Sequence, residues 1–135
     1  MSLLVDNSAW SLALRRDGAE DAREVMALHT ALLGANQVFT TWLVLQELLQ
    51  GFAGPKAAEQ IIERFAALAF LQPDREDHIE AAQVRNACRR KGVQVGTIDA
   101  LLIQLCRRHD LVLLSTDKSF ENARQHVPFG LWQSA

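Results

Sequence analysis

Four acidic side chains in this sequence stand where a carboxylate needs a reason. Asp6 follows the apolar run Leu3-Leu4-Val5, and Asp117 follows the run Leu111 to Leu114 across Ser115-Thr116. Glu47 lies inside the apolar stretch TTWLVLQELLQG, and Asp99 shares a helical face with Leu102, Ile103 and Cys106. Taken singly, each has a structural explanation. Asp6 and Asp117 can cap helices or make turns, Glu47 can pair with a buried arginine, and an acid in a first helical turn is favoured by the dipole. Gathered in one pocket without cations, the four would repel one another and raise each other's pKa. Hard divalent cations remove that repulsion, because Mg²⁺ or Mn²⁺ takes carboxylate and water oxygens and leaves positions for phosphate oxygens. Such a site polarises a phosphodiester, activates a water and stabilises the leaving oxygen. His29, His78, His109 and His126 show no paired spacing, which argues against zinc. The chain has no glycine-rich phosphate loop and no nucleophile elbow.

The elements that must position these acids are legible from periodicity and punctuation. A strand is expected at 2–6, followed by a short helix to about 16 that Asp17-Gly18 stops. Ala22, Val25, Leu28 and Leu32 share one face of a helix over 20–33, ended by Gly34. QVFTT reads as a second strand, and Thr40 or Thr41 caps a helix running to Gly51. Gly54-Pro55 opens a further helix carrying Ala58, Ile61, Ile62 and Phe65, so 41–67 should be an antiparallel helical hairpin. LAFLQP is a third strand. Asp74 caps a long helix to Lys91-Gly92, and Thr97 caps another to about His109. LVLLST, at 111–116, is the clearest strand. A short helix over 119–125 leads to VPFGLW, an edge strand because Pro128 cannot donate to a ladder. Strands alternating with helices imply an α/β sandwich on a mainly parallel sheet.

In such folds ligands gather at the carboxyl ends of strands, where the strand order switches. If the first strand and the 111–116 strand are neighbours, Asp6 and Asp117 open into one crevice. The helix carrying Glu47 is apolar nearly all round and should be largely enclosed, so its glutamate must be paired or metal-bound.

The composition narrows the class. With 135 residues, 49% hydrophobic and 22% charged, the chain reads as one domain, 1–135, with a real core. No apolar run reaches membrane-spanning length, and MSLLVDNS lacks the basic flank of a secretory signal, so the cytoplasm is expected. Cys88 and Cys106 fall in helical patterns and read as core residues of a reducing compartment. A formal net charge of −2 argues against coating nucleic acid by bulk electrostatics. It leaves room for local basic patches at Arg15-Arg16, Arg89-Arg90-Lys91 and Arg107-Arg108, each of which a helix C-terminus also explains.

In order and spacing, LLVDNSAW, LVLQELLQG, VGTIDALLIQLC and LVLLSTDKSF resemble the PIN-domain nucleases, and more narrowly the VapC toxins of bacterial toxin–antitoxin pairs. The resemblance covers essentially the whole chain. It implies a PIN-like three-layer sandwich in which Asp6, Glu47, Asp99 and Asp117 form an acidic quartet holding Mg²⁺ or Mn²⁺. Asp6 and Asp99 are then the principal ligands, with Ser8 and Ser115 as polar support. It also implies a homodimer, a small antitoxin partner and an RNA substrate. One departure stands out: the family's last motif often has a further acid two residues after the position of Asp117, and here that residue is Ser119. The expected function is a metal-dependent endoribonuclease, the toxin of such a pair. The main rival is a PIN-like module that binds RNA or a partner without cutting. A phosphatase of the haloacid dehalogenase type would need an aspartate where Ser8 stands. A phospho-accepting receiver could use Lys118, but the hairpin at 41–67 breaks its strand–helix alternation.

Overall fold

Five short apolar runs pair into a wholly parallel sheet. The computed structural model describes residues 1–15, 22–34 and 37–134. The expected stop at Asp17-Gly18 and the second arginine of Arg15-Arg16 lie outside them. The strands are β1 (Leu3–Val5), β2 (Val38–Thr41), β3 (Ala69–Leu71), β4 (Val112–Leu114) and β5 (Gly130–Leu131), in the spatial order β3-β2-β1-β4-β5. The described helices are α1 (Asn7–Leu14), α2 (Arg23–Leu33), α3 (Trp42–Gly51), α4 (Pro55–Phe65), α5 (Arg75–Arg90), α6 (Thr97–His109) and α7 (Ser119–Arg124).

Strand order and handedness together assign the layers. The chain moves from β1 outward to β2 and β3, then jumps back across β1 to β4 and on to β5. Right-handed crossovers put the helices of the outward leg on one face and those of the return leg on the other. The packing agrees: α1 contacts α2 and α3, α3 contacts α4, and α5 packs along α6. The central β1 is therefore covered on both sides, and Leu3, Leu4 and Val5 are all buried. Leu4 pairs with Phe39 of β2 and Leu113 of β4, and the core gathers Leu28, Leu48, Phe65, Ile103 and Phe120 around it. Cys88 and Cys106 are buried in this core. VPFGLW does supply the edge strand, shortened to two residues. Gly130 runs so close to β4 that a Cβ there would sit 2.7 Å from the Leu111 carbonyl oxygen. No helix among the described residues is long and apolar enough to cross a membrane.

Local signals explain most helix starts. Thr41 caps α3 by accepting the Val44 N–H at 3.1 Å, and Pro55 sits in the first turn of α4 behind Gly54. Asp74 and Asp77 form a reciprocal capping box at the start of α5. Asp77 is 1% exposed and also receives Arg108 and Gln104 from α6, so it ties the two helices together. Burial raises its pKa, but the Asp74 N–H, Gln104 and Arg108 more than offset that and hold its carboxyl below the usual range. Arg108 thus has a cross-helix partner as well as a helix C-terminus to stabilise. Asp77→Ala should lower stability by about 2–3 kcal/mol, the sum of a lost cap and a lost charge-assisted hydrogen bond. A urea melt reads this directly, and a loss of unfolding free energy under a third of that would refute the role.

Two expectations require correction. Thr97 does not cap α6; Gly96 occupies that position, accepts the Ala100 N–H at 2.9 Å, and provides no side-chain cap. The helix starts one residue early because Gly96, with φ −67° and ψ 161°, already holds the extended geometry of a cap. The second concerns α3, which is not enclosed. Only Val44 and Leu48 are buried, and Trp42 is 58% exposed. Helices α1 and α4 pack against α3, and its outward face lacks a comparable cover among the described residues.

Candidate active site

The site begins at the carboxyl end of β1, beside its neighbour β4, where the direction of strand order reverses. Asp6 is both the cap of α1 and a member of the crevice. Its Oδ1 accepts the Ala9 N–H at 3.1 Å and the Ser8 hydroxyl at 2.7 Å, and its Oδ2 accepts the Ser115 hydroxyl at 2.6 Å. The two hydroxyls lie 3.1 Å apart and are themselves anchored, Ser8 by the Thr116 N–H at 3.0 Å and Ser115 by the Asp117 N–H at 2.9 Å. A carboxylate offers about four acceptor directions. Three are used, all from donors that fix its orientation.

Asp117 is not at the end of a strand. β4 stops at Leu114, and Asp117 stands in the turn before α7, where its Oδ1 accepts the Ser119 N–H at 2.9 Å. Ser119 therefore contributes its backbone to the site rather than an acid. Asp99 lies in the first turn of α6 on the inward face with Leu102 and Ile103, and its Oδ2 leans back over Gly96, 3.6 Å from where a Cβ would be. Glu47 projects from α3, half-buried. Neither Asp99 nor Glu47 has a hydrogen-bond partner among the described residues.

Electrostatics tie the four together. Burial raises Asp6, its three donors pull it back, and Asp117 pushes it up again. Burial and then Asp6 raise Glu47. Asp99 is pushed up to about 6 by burial, then by repulsion from Asp6, Asp117 and Glu47. Among the described residues no lysine or arginine ion-pairs with any of the four; the described ion pairs belong to Arg108. The structure thus brings Asp6, Glu47, Asp99 and Asp117 into mutual repulsion with no ion-paired cation among the described residues. No three of them, nor any other three His, Cys, Asp or Glu side chains among the described residues, are arranged as a ready ligand set for a metal ion. A cavity of about 170 Å³ opens on the Asp117 side, lined by Ser115, Thr116, Lys118 and Glu121.

The backbone of Thr116, which locks Ser8, carried no sequence signal, because its partner is 108 residues away. Ser8 and Ser115 were legible only through the resemblance.

The donor set is all oxygen and wholly anionic, which suits a hard divalent cation and no softer metal. Comparison with known proteins agrees with this fold. No curated protein matches the chain. The chain is similar in structure to VapBC2 from Rickettsia felis bound to a DNA fragment from their promoter, with 15% identity, 100% of both chains covered and TM-score 0.74. It is similar also to VapBC-1 from nontypeable Haemophilus influenzae, with 14% identity, 98% of each chain covered and TM-score 0.75. A third is Mycobacterium tuberculosis VapC20, a Sarcin-Ricin loop cleaving toxin, with 18% identity, 90% of this chain and 94% of that one covered, and TM-score 0.70. At these identities the likeness is one of fold. The model of the PIN domain matches residues 3–125, nearly the whole of a parallel sheet whose central strands carry this acidic crevice, and the chain belongs to the PIN domain family.

Proposed function

We propose that the protein is a metal-dependent endoribonuclease, the toxin of a toxin–antitoxin pair, hydrolysing RNA phosphodiesters. The observation that carries this reading is the unpaired acidic cluster. Repulsion within the cluster raises the pKa of Asp6, Glu47 and Asp99, a cost to the fold that a bound cation would remove. Asp6 and Asp99 would be the principal ligands of Mg²⁺ or Mn²⁺, with Asp117 and Glu47 completing or positioning the site. When bound, the ion would polarise the phosphodiester and make a water nucleophilic at neutral pH.

The chain's own residues divide the rest of the work. Ser8 and Ser115 hold the Asp6 carboxylate in one orientation, which costs no reordering when substrate arrives. Asp99 and Glu47, with no hydrogen bonds to break among the described residues, are free to turn toward an ion. Ser119 holds Asp117 through its N–H. The same serine leaves the charge of a fifth acid missing, so a second ion should bind more weakly than a first.

Support for a toxin comes from the likeness to the two VapBC structures and to VapC20, a Sarcin-Ricin loop cleaving toxin. A cognate antitoxin is the partner this reading implies. The test is RNA cleavage by the purified protein with Mn²⁺, Mg²⁺ or EDTA, with the 5′ ends of the products sequenced. Cleavage that persists in EDTA would sink metal dependence, and RNA binding without cleavage would favour a non-cutting PIN-like module.

A second copy of the chain is the other partner we infer. Trp42 is 58% exposed although stacked 4.2 Å from Phe70, and Ile62 on the neighbouring α4 is 53% exposed. Large apolar groups left open on one helical hairpin mark a surface that another chain covers. Light scattering at micromolar concentration should give the mass of a dimer, and Trp42→Glu should give a folded monomer. A monomeric wild type would refute it.

A further inference from the structure

We propose that the C-terminal end of α5, with Arg85, Arg89, Arg90 and Lys91, is a phosphate-binding track that delivers single-stranded RNA to the acidic crevice. The proposal rests on the nuclease reading above. Its first support is charge segregation. Residues 81–98 carry these four cations and no acid, in a chain whose formal net charge is −2. Glu80 and Asp99 bound the stretch.

The fold sets this stretch against the site. α5 packs along α6, and the connection between them is pinned by the Gly92 N–H on the Arg89 carbonyl and the Val93 N–H on the Cys88 carbonyl, both at 2.9 Å. Gly92 makes the turn at φ +78°, which favours glycine. Arg85 then reaches across the connection, and its Nε donates to the Val95 carbonyl at 2.9 Å. The next residue, Gly96, is the one the Asp99 carboxylate leans over. The guanidinium of Arg85 is therefore anchored on the peptide adjoining the acidic crevice.

A helix dipole accounts for cations in the last turn of α5, which holds Arg89 and Arg90. It does not account for Arg85, which is half-buried, lies more than a turn earlier and has no carboxylate partner among the described residues. Arg108, which serves the fold, takes acids, pairing with Asp74 and Asp77. Arg85 instead spends only Nε on a loop carbonyl. A planar guanidinium held this way suits the oxygens of a phosphate. Arg89, fixed by its Nη2 on Asn86 Oδ1 at 2.7 Å and also without an acid, extends the row outward to Arg90 and Lys91, which are exposed.

The experiment uses full-length protein and a labelled single-stranded RNA decamer. Binding is followed by anisotropy in EDTA from low to moderate KCl, and cleavage is followed with Mn²⁺. Each single-strand phosphate contact contributes about −0.7 to the slope of log K against log salt. The triple variant Arg89→Gln, Arg90→Gln, Lys91→Gln should flatten that slope by about 2. It should also raise KM for cleavage roughly tenfold with kcat nearly unchanged, a split that a merely structural role would not give. Arg85→Gln should flatten the slope by about 0.7 and also raise KM, and Arg85→Lys should recover part of the loss. If Arg85→Gln fails to fold, the exposed triple variant still decides. Wild-type cleavage with unchanged slope and KM in the triple variant would overturn the track while leaving the nuclease intact. RNA binding that the variants weaken, without cleavage in the wild type, would support the track and sink the nuclease reading. An oligo-aspartate of matched charge displacing the RNA at equal concentration would assign the surface to an acidic protein segment and overturn the proposal.

Discussion

Asp99→Asn should reduce Mn²⁺-dependent RNA cleavage by well over a hundredfold while the protein stays folded. Removing an outer-shell partner of a metal typically costs about 10–100-fold, and loss of a principal ligand should exceed that. The asparagine keeps the shape of the side chain and deletes only charge, in a place where charge is a liability without metal. Asp99 stands in repulsion with Asp6, Asp117 and Glu47. Asp6→Asn should abolish cleavage equally, though with more risk to the fold, because its carboxylate caps α1 and accepts from both serines. Ser115→Ala belongs in the milder class, about 10–100-fold, since it frees Asp6 Oδ2 without removing the ligand. Steady-state cleavage beside circular dichroism separates the cases. A well-folded Asp99→Asn that cuts at near-wild-type rates would refute the acidic-cluster mechanism.

The same charges should make metal-free stability fall as pH rises. Asp99 has its folded-state pKa raised from 3.8 to about 6, so across that window the folded chain binds more protons than the unfolded one. Its contribution is therefore least unfavourable below about pH 4 and becomes a cost as pH rises through about 6. Asp6 and Glu47, also raised, act in the same direction, whereas Asp77, lowered, supports the fold above the ordinary aspartate range and loses that role in stronger acid. Discounted for the solvent that reaches a half-exposed carboxylate, the Asp99 cost is on the order of 1 kcal/mol. A cation that binds only the folded state should reverse it, adding about 2.7 kcal/mol at a hundredfold excess over Kd. Because protons compete with the ion, that gain should grow between about pH 5 and 7. Melting curves in EDTA and in millimolar Mn²⁺ over this range check both signs. Asp99→Asn should be more stable than wild type in EDTA at pH 7 and lose most of the Mn²⁺ gain. Ser119→Asp should tighten metal binding and lower metal-free stability. Identical curves with and without Mn²⁺ would leave the cluster without a cation to serve.

What the sequence by itself determined is local. Thr41, the Gly54-Pro55 pair and Asp74 mark helix starts because a cap needs only the next few N–H groups. Apolar runs bounded by polar residues locate the strands, and their alternation with helices implies the parallel sheet. The four acids are conspicuous because each interrupts an apolar pattern. Tertiary structure decided the rest. Asp6 meets Ser115 across 109 residues only because β1 and β4 are neighbours, and strand order is invisible to local periodicity. The exposure of Trp42 depended on which helices reach α3, so an apolar pattern all round the helix did not mean enclosure. The cap at Gly96 and the reach of Arg85 to Val95 depend on how α5 and α6 lie together. The repulsion that lifts Asp99 comes from acids 93, 52 and 18 residues away along the chain, at Asp6, Glu47 and Asp117. Coulomb energy depends on distance in space, and only the fold sets that distance.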